Sequence, residues 1–262
     1  MLEVRGISKT FRRFGKPPVR AISDVSLDVG AAETVGLVGE SGAGKSTVLR
    51  CLLALERPDQ GSVVFDGRAV AELRGKELAA YRRRVQVVFQ DPAGSLNPRM
   101  TVAQLVGEGM LIHQRCARGE VPDRVAELLA KVGLSAAVMD RRPPSFSGGQ
   151  LQRIAIARAL AVEPQVLICD EPVSALDVSV QAQVLNLLAD MREQLGLSIL
   201  LVSHNLAVIR YLCSRVFVLQ HGTIVEAGSR EQIFDRPQHE YTRDLLAAVP
   251  RPRTTTTEGQ SC

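Results

Sequence analysis

One segment of eight residues, Gly39–Ser46, constrains the fold of this chain more than any other. It fits the pattern G-x-x-x-x-G-K-[ST], which is typical of a loop that wraps the phosphates of a nucleotide. Its glycines let successive backbone N–H groups turn inward around an anion, where side chains would interfere. Lys45 can reach the β- and γ-phosphates, and the Ser46 hydroxyl can ligate Mg²⁺. The segment predicts a nucleotide site.

The residues on both sides of this loop favour the same interpretation. Thr34–Val38 has the composition of a short buried strand, and Lys45–Leu55 has the pattern of a helix that is apolar at Val48, Leu52 and Leu55. The phosphates would then lie at a helix N-terminus, where the helix dipole favours negative charge. The alternative, a chance glycine-rich turn, does not account for the strand before it and the helix after it.

Composition sets limits on the kind of protein. The 262 residues are enough for one large domain or for a core with an inserted subdomain, and 45% hydrophobic with 23% charged residues is ordinary for a soluble protein. A net charge of +4 is mild, so a modestly basic protein is favoured over one that binds nucleic acid or anionic lipid. No apolar run approaches the length of about 20 residues that a membrane span needs. We therefore expect a cytosolic protein whose membrane role, if any, comes through partners.

The cysteines give no sign of a metal or disulfide framework. The chain has five, none in a C-x-x-C pair and none with a histidine at metal-ligand spacing: Cys51, Cys116, Cys169, Cys213 and Cys262. They are best interpreted as small buried hydrophobic residues in a reducing compartment.

Residues 1 to about 38 are predicted to be rich in strands, and further strands are predicted up to about residue 90. Candidates are Leu2–Ile7 and Val25–Val29, followed by a hairpin at Ser62–Arg68 with Asp-Gly at its turn. Arg84–Phe89 is another strand candidate. From about residue 93 to residue 163 the patterns become helical, for example at Asp123–Val132, and this stretch is interpreted as a helical insertion.

The rest of the chain is predicted to alternate strands and helices. Val166–Cys169 is a continuous apolar strand, as expected in a parallel sheet that is covered on both faces. Val178–Leu195 is a helix that Asp177 can cap at its start and Gly196 at its end. Leu197–Val202 is a strand. Val216–Val225 forms two strands around a His-Gly turn, and a tail from Arg251 onward is expected to be disordered.

Two carboxylates follow the predicted strand at residues 166–169. Asp170 ends this strand, which would direct its carboxylate to the Mg²⁺ region, and Glu171 comes next. A second carboxylate beside the first is costly unless it has a role, and polarising an attacking water is the natural one. The alternative is a simple acidic loop after a strand.

A second anion-binding segment precedes the helix that is predicted from about Leu151 to Val162. Ser147 and Gln150 have the spacing of a capping box, and Gly148 and Gly149 lie between them. The structural role does not exclude a functional one, because a capped helix N-terminus beside two glycines also attracts phosphate.

Six elements follow one another in an order that resembles the ATP-binding subunit of an ABC transporter. They are Gly39–Ser46, Gln90, Ser147–Leu151, Val166–Asp170 with Glu171, Ser174–Asp177 and His204. The resemblance covers nearly the whole chain. It implies an α/β fold with a P-loop NTPase (RecA-like) core, an N-terminal antiparallel β subdomain and an inserted helical subdomain. The ATPase domain would span residues 1–250. The β subdomain and core would occupy residues 1–92 and 164–250, the helical subdomain residues 93–163, and a disordered tail residues 251–262.

The resemblance also implies two subunits that close head to tail over two ATP molecules. Glu171 would be the general base, His204 the switch histidine on the γ-phosphate, and Gln90 the glutamine that contacts Mg²⁺ or water and senses the membrane partner. Mg²⁺ would be held by Ser46, Gln90 and Asp170. The positions implied to bind ATP are Gly39, Glu40, Ser41, Gly42, Ala43, Gly44, Lys45, Ser46, Thr47, Phe11 and Asp177, with Ser147, Gly148, Gly149 and Gln150 acting from the other subunit.

Adenine is implied to stack on an aromatic side chain in the N-terminal region. Phe11 is the candidate, and Phe14 is the alternative because the intervening segment makes the alignment ambiguous.

A narrower likeness points to the branch of importers for oligopeptides, dipeptides and nickel. It is carried by Val87–Pro92 with Ser95–Val102, and by Pro237–Leu246, although the second stretch alone is also an ordinary amphipathic helix. The implied partners are a second ATPase subunit, identical or paralogous, two integral-membrane permeases and, indirectly, a periplasmic or extracellular solute-binding protein, with no nucleic acid. The implied location is the cytoplasmic side of the cell membrane, as a peripheral subunit. The implied solute is a peptide or a related small molecule, such as nickel, an opine or a glutathione-like compound.

Alternatives to a transporter subunit are a non-transport ATPase, such as a subunit of a phosphonate-degrading complex, and a DNA-associated ATPase, which would normally carry coiled coils or zinc modules.

Overall fold

The computed structural model describes residues 1–12, 14–15 and 17–248. Its strands are β1 Leu2–Phe11, β2 Val19–Val29, β3 Thr34–Val38, β4 Gln60–Phe65, β5 Arg68–Ala69, β6 Val85–Val88, β7 Val166–Asp170, β8 Ser198–Ser203, β9 Arg215–Gln220 and β10 Thr223–Ser229. Its helices are α1 Lys45–Leu52, α2 Gly75–Arg84, α3 Pro92–Ser95, α4 Val102–Ile112, α5 Val121–Lys131, α6 Gly148–Leu160, α7 Val178–Leu195, α8 Leu206–Leu212, α9 Arg230–Asp235 and α10 Glu240–Ala247.

The strands form two sheets. A sheet of four strands has the order β2-β1-β4-β5, and its pairs are antiparallel. A sheet of six strands has the order β10-β9-β3-β8-β7-β6, in which β10 is antiparallel to β9 and the other neighbours are parallel. The carboxyl ends of the parallel strands therefore share one edge, where α/β proteins bind ligands.

The core lies on both faces of the larger sheet. Side chains alternate along a strand, so Leu167 and Cys169 pack into one apolar cluster while Val166 and Ile168 pack into the other. The first cluster is covered by the helices from α4 to α9, and the second by α1 and the smaller sheet. This explains why β7 is apolar throughout, and the predicted α/β class is confirmed.

The helices α3 to α6 lie between two neighbouring parallel strands. The chain leaves β6, forms these helices and returns at β7, which pairs directly with β6. Val125, Leu129 and Ile154 are fully buried where α5 and α6 pack together. The helical character predicted for this stretch is confirmed.

Several predicted boundaries are wrong. β1 and β2 extend beyond the predicted Leu2–Ile7 and Val25–Val29, because they pair with each other along nearly their whole length. The helix predicted at Lys45–Leu55 ends at Leu52, where the chain turns through Ala54 at φ 52°. Leu55 is consequently 61% exposed and does not belong to the apolar face.

Two predicted turns are confirmed. Asp66 and Gly67 have φ values of 49° and 79°, and they join β4 to β5. His221 and Gly222 have φ values of 47° and 81°, and they join β9 to β10. Positive φ at both central residues is what a tight hairpin of right-twisted strands requires.

Candidate nucleotide site

The segment Gly39–Ser46 forms a loop between β3 and α1, as predicted. Gly44 precedes the first helical residue with φ 111°, a conformation that side chains rarely allow. A Cβ atom on Gly44 would lie 2.7 Å from the backbone oxygen of Ala21. The glycine is therefore required for close approach of β2 as well as for the turn.

The Lys45 ammonium is held by the loop itself. Its Nζ donates to the backbone oxygens of Gly39, at 2.6 Å, and Glu40, at 2.8 Å. The residue is 8% exposed, and burial lowers the pKa of its ammonium, opposed by the carboxylates of Glu171, Asp170 and Glu40. The charge is thus fixed in place beside the loop.

The β9–β10 turn supports the loop from the side. The Gly222 N–H donates to the Ala43 oxygen at 2.9 Å, and the Ser23 N–H donates to the Gly222 oxygen at 2.7 Å. Backbone from β2 and from the last hairpin therefore fixes the loop in position.

A cleft of about 490 Å³ opens beside the loop. It is lined by Val19, Arg20, Ala21, Ser41, Gly42, Gly44, Lys45, Ser46, Thr47, Gln90, Asp170, Glu171 and His221. The structure thus brings the loop, Gln90 and the two carboxylates together, as the sequence predicted. The lining is mostly polar and contains both cationic and anionic side chains.

Asp170 ends β7 at the carboxyl edge of the sheet. Burial, together with the charge of Glu171, raises the pKa of the Asp170 carboxyl, and the Lys45 ammonium opposes the shift. Ser46, Gln90 and Asp170 all line the same cleft. Their hydroxyl, amide and carboxylate oxygens are the ligand types that Mg²⁺ prefers.

Glu171 and His204 lie in direct polar contact. His204 Nδ1 lies 2.8 Å from Glu171 Oε1, and the Glu171 side chain is 13% exposed while that of His204 is 59% exposed. Glu171 has φ 47°, and its N–H donates to the Val202 oxygen at 2.8 Å. The left-handed backbone and the link to β8 hold this residue where its side chain lines the cleft.

Ser147–Gln150 does not line this cleft in the part of the chain that the structure describes. It forms the predicted capping box: the Gln150 N–H donates to Ser147 Oγ at 3.4 Å, and the Ser147 N–H donates to Gln150 Oε1 at 3.1 Å. A Cβ atom on Gly149 would lie 2.3 Å from Val180 Cγ1. The glycine pair thus brings the start of α6 close to α7.

Asp177 and the two aromatic candidates also lie outside the cleft lining. Asp177 is the N-cap residue of α7, but its side chain makes no capping hydrogen bond, so the predicted side-chain cap is wrong, whereas Gly196 ends the helix at φ 60° as predicted. Phe11 pairs with Val19, which lines the cleft, and Phe14 is fully exposed.

Two further polar side chains that the sequence did not single out line the cleft. Arg20 comes from β2 and His221 from the β9–β10 turn. Neither lies in a motif, and only the tertiary fold brings them to the loop. The His-Gly turn signal located His221 in a hairpin, but gave no sign that this hairpin contacts residues 39–46.

The buried thiols fit the interpretation from sequence. Cys51, Cys169 and Cys213 are buried and Cys116 is partly buried. Burial raises the pKa of Cys51 to about 11 and that of Cys169 to about 12. Cys262 lies outside the described residues.

The fold and the loop define a P-loop nucleotide-binding protein, and comparison with known proteins gives the family. The family described as "ABC transporter" matches residues 22–174, and the family described as "Oligopeptide/dipeptide transporter, C-terminal region" matches residues 225–261. This chain belongs to the ABC transporter family, as one of its ATP-binding, ATP-hydrolysing cassettes.

Relatives of known sequence cover nearly all of the chain. A protein of Brucella ovis, provisionally named as a peptide import ATP-binding protein, is 48% identical over 252 residues, which are 96% of this chain and 79% of the relative. The oligopeptide transport ATP-binding protein OppF of Streptococcus mutans is 44% identical over 253 residues, which are 96% of this chain and 82% of the relative.

Solved structures share the fold. The dimeric ATP-binding cassette MJ0796, in a post-hydrolysis state bound to ADP and Pi, superposes with a TM-score of 0.79 at 31% identity, over 88% of this chain and 99% of that chain. CbiO1 of Clostridium perfringens, described as part of the ABC transporter complex cbiONQ, gives a TM-score of 0.79 at 27% identity, over 95% of each chain. Among the described residues, every helix is too short or too polar to cross a membrane.

Proposed function

We propose that this chain powers the import of peptides or a related small solute by hydrolysing ATP. One observation carries the proposal: Lys45, Asp170 and Glu171 line a single cleft beside the phosphate loop. The solute class is supported by the match of residues 225–261 to the C-terminal region of oligopeptide and dipeptide transporters. The same match favours transport over a non-transport complex.

Glu171 and His204 have distinct proposed roles in ATP hydrolysis. Glu171 accepts a proton from the water that attacks the γ-phosphate, because its largely buried carboxylate lines the cleft beside the phosphate loop. We assign to His204, whose Nδ1 lies 2.8 Å from Glu171 Oε1, the orientation of this carboxylate, with the opposite ring nitrogen left for the phosphate.

The Lys45 ammonium neutralises charge on the β- and γ-phosphates. It is already buried beside the loop, so little ordering remains when the nucleotide arrives. Ser46, Gln90 and Asp170 are the proposed holders of Mg²⁺, which when bound offsets the charge that develops on the phosphate oxygens.

The proposed site is completed by a second subunit. Ser147–Gln150 presents a helix N-terminus with two glycines, yet it lies outside the cleft of its own chain. A partner that supplies this segment across the γ-phosphate makes closure depend on ATP, because ADP cannot reach both surfaces. Asp177, at the start of α7, is proposed to lie at the same contact.

The remaining proposals concern the partners, the location, the helical subdomain and the adenine contact. Two integral-membrane permeases and an indirectly acting solute-binding protein are the proposed partners, with this chain on the cytoplasmic side of the membrane. Residues 93–163 are proposed to form a helical subdomain that carries motion from Gln90 to the permeases. Phe11 is proposed to stack on adenine, supported by its pairing with Val19 at the cleft.

The substitution Glu171→Gln tests the proposed general base. We expect this variant to bind ATP with near-normal affinity and to accumulate as a closed dimer, while its turnover falls by about 10²-fold or more, because the amide cannot accept the proton. ATP binding, dimerisation by light scattering and phosphate release measure the three properties. Brisk turnover by this variant would overturn the assignment.

A matched control is Glu193→Gln on α7. Glu193 is exposed and pairs with Arg192 next to it on the same helix. We expect its ATP turnover to equal that of the wild type, which would show that a surface carboxylate is not enough to alter the rate.

A further inference from the structure

The phosphate loop is contacted by the C-terminal part of the chain. The backbone N–H of Glu40 donates to the Tyr241 hydroxyl oxygen, with an N–O distance of 3.1 Å. Tyr241 is the second residue of α10. Loops of this kind direct their N–H groups to phosphate, whereas this N–H already has a protein acceptor.

The same peptide unit is held at its other end. The Gly39 carbonyl, which shares a peptide plane with the Glu40 N–H, accepts from Lys45 Nζ at 2.6 Å. A peptide unit is rigid and planar, so fixing the direction of its N–H also fixes the direction of its carbonyl. The Tyr241 hydroxyl therefore orients one of the two carbonyls that hold the Lys45 ammonium.

Tyr241 is itself held by the strand β10. Glu226 accepts from the N–H of Gln238 at 2.8 Å and of His239 at 3.1 Å, and His239 Nδ1 accepts from the Tyr241 N–H at 3.2 Å. Thr242 is 1% exposed, and the Tyr241 ring packs against the first of the two apolar clusters, the one that contains Leu167 and Cys169. The hydroxyl is thus presented to the loop from a fixed base.

We propose that Tyr241 is a positioning residue for the phosphate loop. Its hydroxyl fixes the Gly39–Glu40 peptide and, through it, the place of the Lys45 ammonium, so that α10 sets the affinity of the loop for nucleoside di- and triphosphates. Tyr241 touches no phosphate in this role. The inference rests on the proposed function, because it concerns the same nucleotide site.

The test compares Tyr241→Phe with Tyr211→Phe in the full chain. Each change removes one hydroxyl and keeps the ring, and the Tyr211 hydroxyl bonds Asn186 on α7, away from the loop. We expect Tyr241→Phe to raise the Kd for ATP and for ADP by about 3- to 10-fold, the range that loss of one neutral hydrogen bond gives. Tyr211→Phe should leave both values unchanged, and the two variants should melt at similar temperatures without nucleotide.

A second readout follows the hydrogen bond itself. In ¹⁵N-labelled protein without nucleotide, the Glu40 amide proton should shift and exchange faster with solvent in Tyr241→Phe, and remain as in the wild type in Tyr211→Phe. Unchanged nucleotide affinity, or an unchanged Glu40 amide, overturns the proposal. Absence of ATP binding by the wild type would overturn the proposed function, whereas normal wild-type binding with an unaffected Tyr241→Phe variant overturns the role of Tyr241 alone.

Discussion

At the scale of single residues, the site contains charges that the fold holds in unfavourable surroundings. Lys45 is buried and, in the part of the chain that the structure describes, its ammonium donates to two backbone oxygens, while Asp170 lies beside a second carboxylate. Such groups gain when an opposite charge arrives, because the nucleotide phosphates and a metal ion relieve the cost of burial. Ligand binding relieves the unfavourable free energy of these buried charges, and this relief contributes to the affinity for nucleotide and metal.

The raised pKa of Asp170 predicts a pH dependence for Mg²⁺ binding. Burial and then Glu171 raise this pKa, so the carboxyl keeps its proton to a higher pH than an ordinary aspartate does. Proton and metal compete for the same oxygens. We therefore expect the apparent Mg²⁺ affinity of the ATP complex to fall as the pH is lowered toward the ordinary range of carboxyl groups, with the fall beginning at a higher pH than for an ordinary aspartate.

The measurement is a Mg²⁺ titration of ATP turnover or binding at several pH values. The variant Asp170→Asn serves as the control, since it keeps the titration of the ATP phosphates and lacks that of the carboxyl. A pH slope that is identical in the two proteins would contradict the prediction.

At the scale of elements, the start of α6 lies very close to α7. A methyl group on Gly149 would meet Val180 at 2.3 Å, whereas one on Gly148 would meet Leu176 at an ordinary 3.4 Å. Neighbouring glycines at one helix start therefore differ in the room available to them. The difference allows the packing of α6 on α7 to be tested by a matched pair of substitutions.

We expect Gly149→Ala to destabilise the protein by about 1–3 kcal/mol, the usual cost of overpacking. For a chain of this size the apparent Tm should fall by about 2–4 °C for each kcal/mol. Gly148→Ala should melt at or above the wild-type temperature, because alanine favours the helix. Adding Val180→Ala should restore the stability of Gly149→Ala. Equal melting of the two glycine variants would contradict this account.

The sequence predicted some of these elements well, and physical reasons separate the successes from the failures. The bounds of α7 were predicted to the residue because its apolar period is long and Gly196 takes the left-handed conformation that ends a helix. The Asp66-Gly67 turn was predicted because few residues accept its φ values. The end of α1 was wrong because Leu55 continued an apolar pattern although the backbone had already turned.

Within the site, local motifs predicted the loop and both carboxylates, since phosphate and metal chemistry restrict the residue types. Arg20, His221 and Tyr241 were not recognised as neighbours of the loop. Each comes from an element whose own pattern is ordinary, and only the packing of distant segments brings it there.

At the scale of the whole molecule, a single copy of this chain should bind ATP but hydrolyse it poorly, because the cleft lacks Ser147–Gln150. Two defective variants can test this. Lys45→Ala loses the ammonium and should lose ATP affinity, but it keeps its own Ser147–Gln150. At Gly148 a Cβ atom meets its nearest neighbour at an ordinary 3.4 Å, and Gly148→Asp would place a carboxylate where a phosphate should bind.

We expect each variant alone to hydrolyse ATP slowly and an equimolar mixture to recover about a quarter of the wild-type rate, if copies pair with each other at random in a symmetric dimer. Half of those dimers would be mixed, each with one complete site. Phosphate release measures the recovery. No recovery, with both variants folded, would show that a second copy of this chain does not complete the site, and would favour a paralogous partner.

The order of the strands has a consequence for how the chain folds while the ribosome synthesises it. The strand β3, which leads into the phosphate loop, lies between β8 and β9, and Thr34 pairs with Ile199. At about 5–20 residues per second, synthesis reaches these partners on the order of ten seconds or more after β3 has emerged. Until then, this apolar strand has no neighbour in its own sheet. The loop that binds nucleotide should therefore be among the last parts of the nascent chain to acquire its final shape, and the newly made N-terminal segment is the part that most needs protection from aggregation.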